Sequence, residues 1–147
     1  ELRLALSDLA GHLRTPSLLA AYCLGGINFL IFINQYSYIT FRLAEAPYHL
    51  AASGLGLIFL TYLGGTLGST VSGKLAGRFS PASCIGMGIV ILMLGTAVTL
   101  ADSLVGILVG LTINAFGFFL AHSLASSWVG RYAQGARGSA SALYLVF

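Results

Sequence analysis

Charge is what this sequence has least of. Asp, Glu, Lys and Arg make up 7% of its 147 residues, against roughly 25% in an ordinary soluble domain. Seven basic and four acidic side chains cannot cover a water-facing globule of this size. With 57% hydrophobic residues and a mean hydropathy of +0.91, the shortage excludes a cytosolic enzyme, a coiled coil and a disordered tail. Two cysteines are too few to staple a secreted domain, and Cys23 and Cys84 read as small packing residues. Three scattered histidines without a Cys/His cluster make no metal site, and no cofactor is implied. Nor is there a phosphate-cradling Gly-x-x-x-x-Gly-Lys-Ser/Thr run, because Gly68 to Lys74 lacks the spacing. What is left is an all-α, polytopic membrane protein.

The few charges are informative by placement. Arg14 to Arg42, Glu45 to Lys74, Arg78 to Asp102 and Asp102 to Arg131 enclose uncharged stretches of 27, 28, 23 and 28 residues. At 1.5 Å per residue even the shortest reaches about 34 Å as a helix, against a hydrocarbon core of roughly 30 Å. Each can cross a bilayer once. The three prolines lie where spans should begin, at Thr15-Pro16, Ala46-Pro47 and Ser80-Pro81, since proline at a first helical position gives up an N–H that has no partner anyway. Thr15, Ser80 and Asp102-Ser103 offer caps for the remaining free amides. The expected helices are about 16–41, 47–73, 81–101 and 103–128, with a fifth, truncated span from 138. Residues 1–15 are a linker or an interfacial helix, with Leu2, Leu6, Leu9 and Leu13 on one face and Arg3, Ser7 and Arg14 elsewhere. Glu1 is not an initiator Met and Phe147 ends an apolar run, so the chain reads as a piece of something longer.

Counting Lys and Arg on alternate sides gives an orientation. Arg3, Arg14, Lys74, Arg78, Arg131 and Arg137 fall on one side and only Arg42 on the other. Residues 1–14, 74–80 and 129–137 are therefore expected in the cytoplasm, and the net charge of +3 is a topology signal with no nucleic-acid partner behind it. Tyr36, Tyr38, Phe41 and Tyr48 then gather at the outer interface, and Trp128 and Tyr132 at the inner one.

Polar residues at membrane depth signal helix contacts or a water-accessible path. In the first span Asn28, Gln35 and Tyr38 share a side, which reads either as interhelical hydrogen bonds or as the lining of a substrate cavity. In the second, Thr61, Gly65, Ser69 and Gly73 form one ladder and Gly64, Gly68 and Ser72 its neighbour, the pattern of close helix packing. Tyr62 lies near mid-depth as a further cavity candidate. The third span is the plainest and reads as a lipid-facing support helix. The fourth carries Asn114 at the midplane and His122 about two turns nearer the basic side. His122 reads first as a neutral bond to a neighbouring helix, with a proton relay as the alternative. No Asp or Glu lies inside any span. The cavity candidates are thus Asn28, Gln35, Tyr38, Tyr62, Asn114 and His122, an uncharged lining that favours a neutral molecule or a hydrophobic cation.

Two other classes stay open at this level. One is a structural or assembly subunit of a membrane complex, in which the polar residues only bind neighbouring helices. The other is a membrane-embedded enzyme using Ser123 and His122, disfavoured because adjacent helical residues point about 100° apart and no buried acid orients the histidine.

The loop Gly73-Lys74-Leu75-Ala76-Gly77-Arg78-Phe79-Ser80-Pro81 resembles the Gly-x-Leu-Ala-Asp-Arg-Phe-Gly-Arg-Arg signature that major facilitator superfamily transporters carry between their second and third, and eighth and ninth, helices. Gly73, Leu75, Ala76, Arg78 and Phe79 match. Gly77 replaces the acid, and Ser80-Pro81 the Gly-Arg tail. The run from Ala121 to Trp128, then Gly135, Arg137-Gly138 and Ser139 to Tyr144, with Ser53 to Gly56, is similar to the second half of bacterial arabinose-efflux-like and drug:proton antiporters. The resemblance implies helices seven to ten and the start of eleven of a twelve-helix transporter in the bacterial inner membrane, with a six-helix N-terminal half elsewhere. It further implies alternating access, protons as the coupling ion, and efflux of a small molecule such as a drug or sugar. Gly73, Lys74, Gly77 and Arg78 would form the gate loop.

Overall fold

The computed structural model describes residues 10–133 and 137–146, apart from the side chain of Arg137. The interfacial reading of residues 1–9, the matched Gly135 and the final Phe147 lie outside the described residues. Residues 10–14 are helical and break at Thr15. Then follow α1 (Pro16–Ala44), α2 (Ala52–Leu57), a 3₁₀ turn (Ile58–Tyr62), α3 (Leu63–Ala76), α4 (Pro81–Val98), α5 (Leu104–Tyr132) and α6 (Arg137–Val146). Counting Ala52–Ala76 as one helical unit, four helices are long and apolar enough to cross a membrane. No strand occurs among the described residues. The chain is an all-α, polytopic membrane segment.

Helix starts follow local chemistry in two of the expected places and depart from it in two others. Pro81 opens α4 and Ser80 Oγ accepts the Ser83 amide at 3.1 Å; Ser103 Oγ accepts the Gly106 amide at 3.1 Å ahead of α5. Pro16 likewise opens α1, but the Thr15 hydroxyl donates back to the Gly11 carbonyl at 3.1 Å instead of capping the new helix. Pro47 does not start a helix at all. The Tyr48 and His49 amides both donate to the Glu45 carbonyl, and the Leu50 amide returns to Leu43 O at 2.9 Å. With His49 in the left-handed region at φ 47°, this turn folds onto the end of α1, and the next helix waits until Ala52.

The hub of the bundle is α5, against which α3 and α4 both pack. Gly88 and Gly95 of α4 face Gly110 and Gly117 of α5. A Cβ on Gly95 would stand 2.7 Å from Asn114 Cα, and one on Gly117 2.6 Å from the Gly88 carbonyl oxygen. Helices in lipid associate through such backbone approach, since burial of apolar surface gains nothing between them. The expected ladder of the second span divides accordingly: Gly64 and Gly68 lie on the backbone of Thr112 and Phe116, Gly65 lies under the Phe119 ring, and Gly73 meets nothing within 4 Å. The buried stripe of α4 is narrow, formed by Cys84, Gly88, Leu92 and Gly95, while Val90, Met93 and Leu94 on its other faces are exposed. Also packed on α5, α1 contributes Phe32, Tyr36, Ile39 and Leu43 to a core shared with Ile58, Leu92, Ile107, Leu111, Ala115 and Phe118.

Candidate functional site

Where α1, the 3₁₀ turn and α5 meet, aromatic side chains form a continuous wall. Phe32 and Phe118 stack with centroids 4.1 Å apart and planes 9° off parallel. Tyr62 meets Tyr36 edge-on at 4.7 Å and Phe119 at 6.2 Å, and Phe59 lies over Tyr36 at 6.0 Å. Stacked and edge-on pairs at these separations are the favoured arrangements of aromatic quadrupoles. Phe32, Tyr36 and Phe118 form a buried layer, and Phe29 and Phe59 expose ring surface in front of it. Tyr62 and Phe119 are half-buried between the two.

Tyr36 is the polar anchor of this wall. It is 3% exposed, and its hydroxyl lies 2.7 Å from Thr61 Oγ1 and donates to the Leu111 carbonyl at 3.3 Å. Thr61 in turn donates to Ile58 O at 2.7 Å, inside the 3₁₀ turn. An interrupted helix in lipid leaves backbone groups needing partners, and side chains of neighbouring spans supply them. The sequence pattern assigns Tyr36 to the outer interface with Tyr38 and Tyr48; it is instead a buried hydrogen-bonded residue.

The structure separates the six cavity candidates. Gln35 and Tyr38 do lie together, bordering a cavity of about 310 Å³ with Arg42, Thr96 and Thr99. Gln35 Nε2 donates to Thr99 Oγ1 at 2.7 Å, so this pair faces α4, and Tyr38 is 64% exposed at the rim. Asn28 is buried away from them beside Gly25, Ala121 and Tyr144. Asn114, expected to line a cavity, has no exposed surface. It lies opposite Gly95 and its Nδ2 donates to Thr96 Oγ1 at 2.9 Å and to Leu92 O at 3.3 Å, which makes it a link between α5 and α4. Only Tyr62 and His122 join the aromatic wall. His122 stacks on Phe118 at 5.2 Å and lies 3.2 Å through Nδ1 from the Tyr144 hydroxyl.

Two further residues escaped notice. Arg42, counted only as a topology charge, donates to the carbonyls of Thr99 at 2.6 Å and Ala101 at 3.0 Å and to Asp102 Oδ1 at 3.3 Å. It thereby caps the end of α4 with positive charge, where the helix dipole is negative. Tyr48 donates to the Asp102 carbonyl beside it. A lone basic residue at the end of one span, level with the exposed carbonyls of another, is the signal that would have found it. Tyr144 carries no such signal. At the other end, the loop residues Gly73, Lys74, Gly77 and Arg78 are all exposed, next to a cavity of about 390 Å³ bordered by Ser72, Ser127 and Arg131. Ser123 Oγ donates to Ser69 Oγ of α3 at 3.1 Å. No three His, Cys, Asp or Glu side chains come together among the described residues.

Comparison with known proteins finds the chain similar to proteins named as transporters. The chain is 35% identical over 136 residues to an uncharacterized transporter of Buchnera aphidicola subsp. Schizaphis graminum, covering 92% of the chain and 33% of that protein. It is 33% identical over 140 residues to the uncharacterized MFS-type transporter YybF of Bacillus subtilis, covering 95% and 35% respectively. It is 35% identical over 134 residues to the inner membrane transport protein YnfM of Escherichia coli, covering 91% and 32%. The chain therefore spans about a third of the length of these relatives. No protein-family model and no solved structure matches it.

Proposed function

We propose that this chain, a partial major facilitator superfamily transporter by its relatives, supplies one wall of a substrate path that opens alternately to either side of the membrane. Its likeness to named transporters over nearly its whole length carries the reading, and supports transport over catalysis. The transport is efflux of a small organic molecule, a drug or a sugar, in exchange for protons across the bacterial inner membrane. Residues 1–14, 74–80 and 129–137 lie on the cytoplasmic side. The aromatic wall with Tyr62 and His122 faces the path, offering ring surface and hydrogen bonds without fixed charge. His122 is its proton-responsive group. Lys74 and Arg78, with Gly73 and Gly77, work at the cytoplasmic gate.

Reconstitution of the full-length protein in liposomes tests this. Substrate flux is expected to follow an imposed pH gradient and to fall when a protonophore collapses it. Flux indifferent to the gradient removes proton coupling, and an unaltered pH dependence in His122→Gln removes the relay.

A further inference from the structure

Of the residues around His122, Tyr144 stands out because a whole helix contact is shaped to receive it. Its ring enters α6's contact with α1 at Gly25, where a Cβ would stand 2.6 Å from Tyr144 Cε2. The ring is 3% exposed and lies 5.0 Å from the imidazole, which is stacked on its other side against Phe118. The hydroxyl reaches two acceptors of one residue, His122 Nδ1 at 3.2 Å and the His122 carbonyl at 3.4 Å. No hydrogen bond to Nε2 is formed among the described residues.

We infer that Tyr144 is the positioning residue for His122, fixing the orientation of the ring and accommodating a proton at Nδ1. The inference rests on the relay reading above. When Nδ1 is bare, the Tyr144 O–H donates to it, and the imidazole hydrogen is left on Nε2. When a proton is taken up at Nδ1, that N–H donates to the tyrosine oxygen, and the tyrosine hydrogen turns to the His122 carbonyl. Both states are satisfied by one hydroxyl, with no covalent bond changed except the N–H that forms. Among the contacts of His122 are Phe118 on its own helix and Tyr144 of α6; Ser69 of α3 meets the neighbouring Ser123, and Gly25 of α1 meets the Tyr144 ring. Tyr22 of α1, buried in the same cluster as Tyr144, is a second titratable side chain near this contact. The stretches 16–41, 63–73, 104–130 and 138–146 hold no Asp, Glu, Lys or Arg.

The test uses the full-length protein reconstituted in liposomes, with Tyr144→Phe, which keeps the ring and loses the hydroxyl. The transport pH profile is expected to move by a threefold or larger change in proton concentration, with no further change when Tyr144→Phe is added to His122→Gln. Imidazole ¹⁵N shifts, assigned by difference from His122→Gln, are expected to change in Tyr144→Phe as the Nδ1 hydrogen bond is lost. Gly25→Ala, which displaces the ring while keeping the hydroxyl, should act in the same direction. An unchanged profile in His122→Gln overturns the relay and this inference with it. An altered profile in His122→Gln, with parental ¹⁵N shifts and profile in Tyr144→Phe, overturns this inference alone.

Discussion

Gly95 offers the most direct test of how the bundle is held together. An alanine there places its Cβ 2.7 Å from Asn114 Cα and 2.8 Å from the Gly110 carbonyl oxygen, and nearer still to the Asn114 backbone nitrogen. Every clashing atom is main chain, so no side chain can swing aside. Clearing the nearest of these atoms to an ordinary contact of 3.4 Å means moving α4 off α5 by about 1 Å, a gap that forfeits about half of each dispersion contact along it. The same shift stretches the 2.9 Å Asn114–Thr96 bond to about 3.9 Å, beyond useful reach. Overpacking costs about 1–3 kcal/mol and the lost interhelical bond about 0.6 kcal/mol. Alanine's better helix propensity returns up to about 1 kcal/mol. The net loss is about 1–3 kcal/mol, a 5- to 150-fold shift in the unfolding equilibrium. Gly86 on the same helix meets nothing within 4 Å, so Gly86→Ala makes the identical chemical change without the clash and should be neutral or slightly stabilising. Thermal unfolding of the purified full-length protein in detergent reads both. If Gly95→Ala melts together with Gly86→Ala, the close approach of α4 and α5 is refuted.

Other perturbations separate the remaining contacts. Arg42→Ala leaves the Thr99 and Ala101 carbonyls without their charged donor and should lower stability by about 1–2 kcal/mol. Asp102→Asn should leave the same melt unchanged, because the Asp102 side chain is fully exposed; equal losses would place the clamp in the ion pair. Tyr36→Phe removes the bonds to Thr61 and Leu111 while keeping the ring and should cost about 0.6–1.5 kcal/mol, and a melt identical to the parent's would show that the 3₁₀ turn does not depend on this hydroxyl. With Cys23 and Cys84 replaced, Ala46→Cys should react with a membrane-impermeant maleimide in intact cells and Gly77→Cys only after permeabilisation. The reverse pattern overturns the proposed orientation.

Number and chemistry of the long helices were legible because lipid imposes a coarse rule: uncharged stretches long enough to cross it, with charges at the ends. Helix ends were less so. Pro47 looks like Pro16 and Pro81 in one dimension, yet the Glu45 carbonyl captures the amides of Tyr48 and His49, a competition that no proline rule describes. The 3₁₀ turn at Ile58–Tyr62 has no breaker residue in it, since Ile, Phe, Leu, Thr and Tyr all accept helix. Its distinguishing feature is a partner 25 residues earlier in the chain, the Tyr36 hydroxyl that meets Thr61.

The polar residues show why helix periodicity alone separates poorly a path from a joint. Asn28, Gln35 and Tyr38 share a side of α1 by angle, but over that length the helix passes first Ala121 and Tyr144 and then Thr96 and Thr99. Which neighbour stands at each level decides whether an amide is spent on a contact. Gln35 meets Thr99 just past the end of α4 and Asn114 meets Thr96 within it, in the span whose sequence reads as a lipid-facing support helix. Within the proposed function, with those amides committed to helix contacts, the surface offered to a passing molecule is chiefly the exposed rings of Phe29 and Phe59, with half-buried Tyr62 and Phe119 between them and His122 at the edge. A wall of that composition discriminates through shape and ring contact more than through counted hydrogen bonds. A substrate rich in hydroxyls would need most of its partners from the part of the transporter that faces this chain. Within the proposed function, the geometry therefore weighs toward a flat apolar compound over a sugar, and competition by the two substrate types in the same liposomes decides between them.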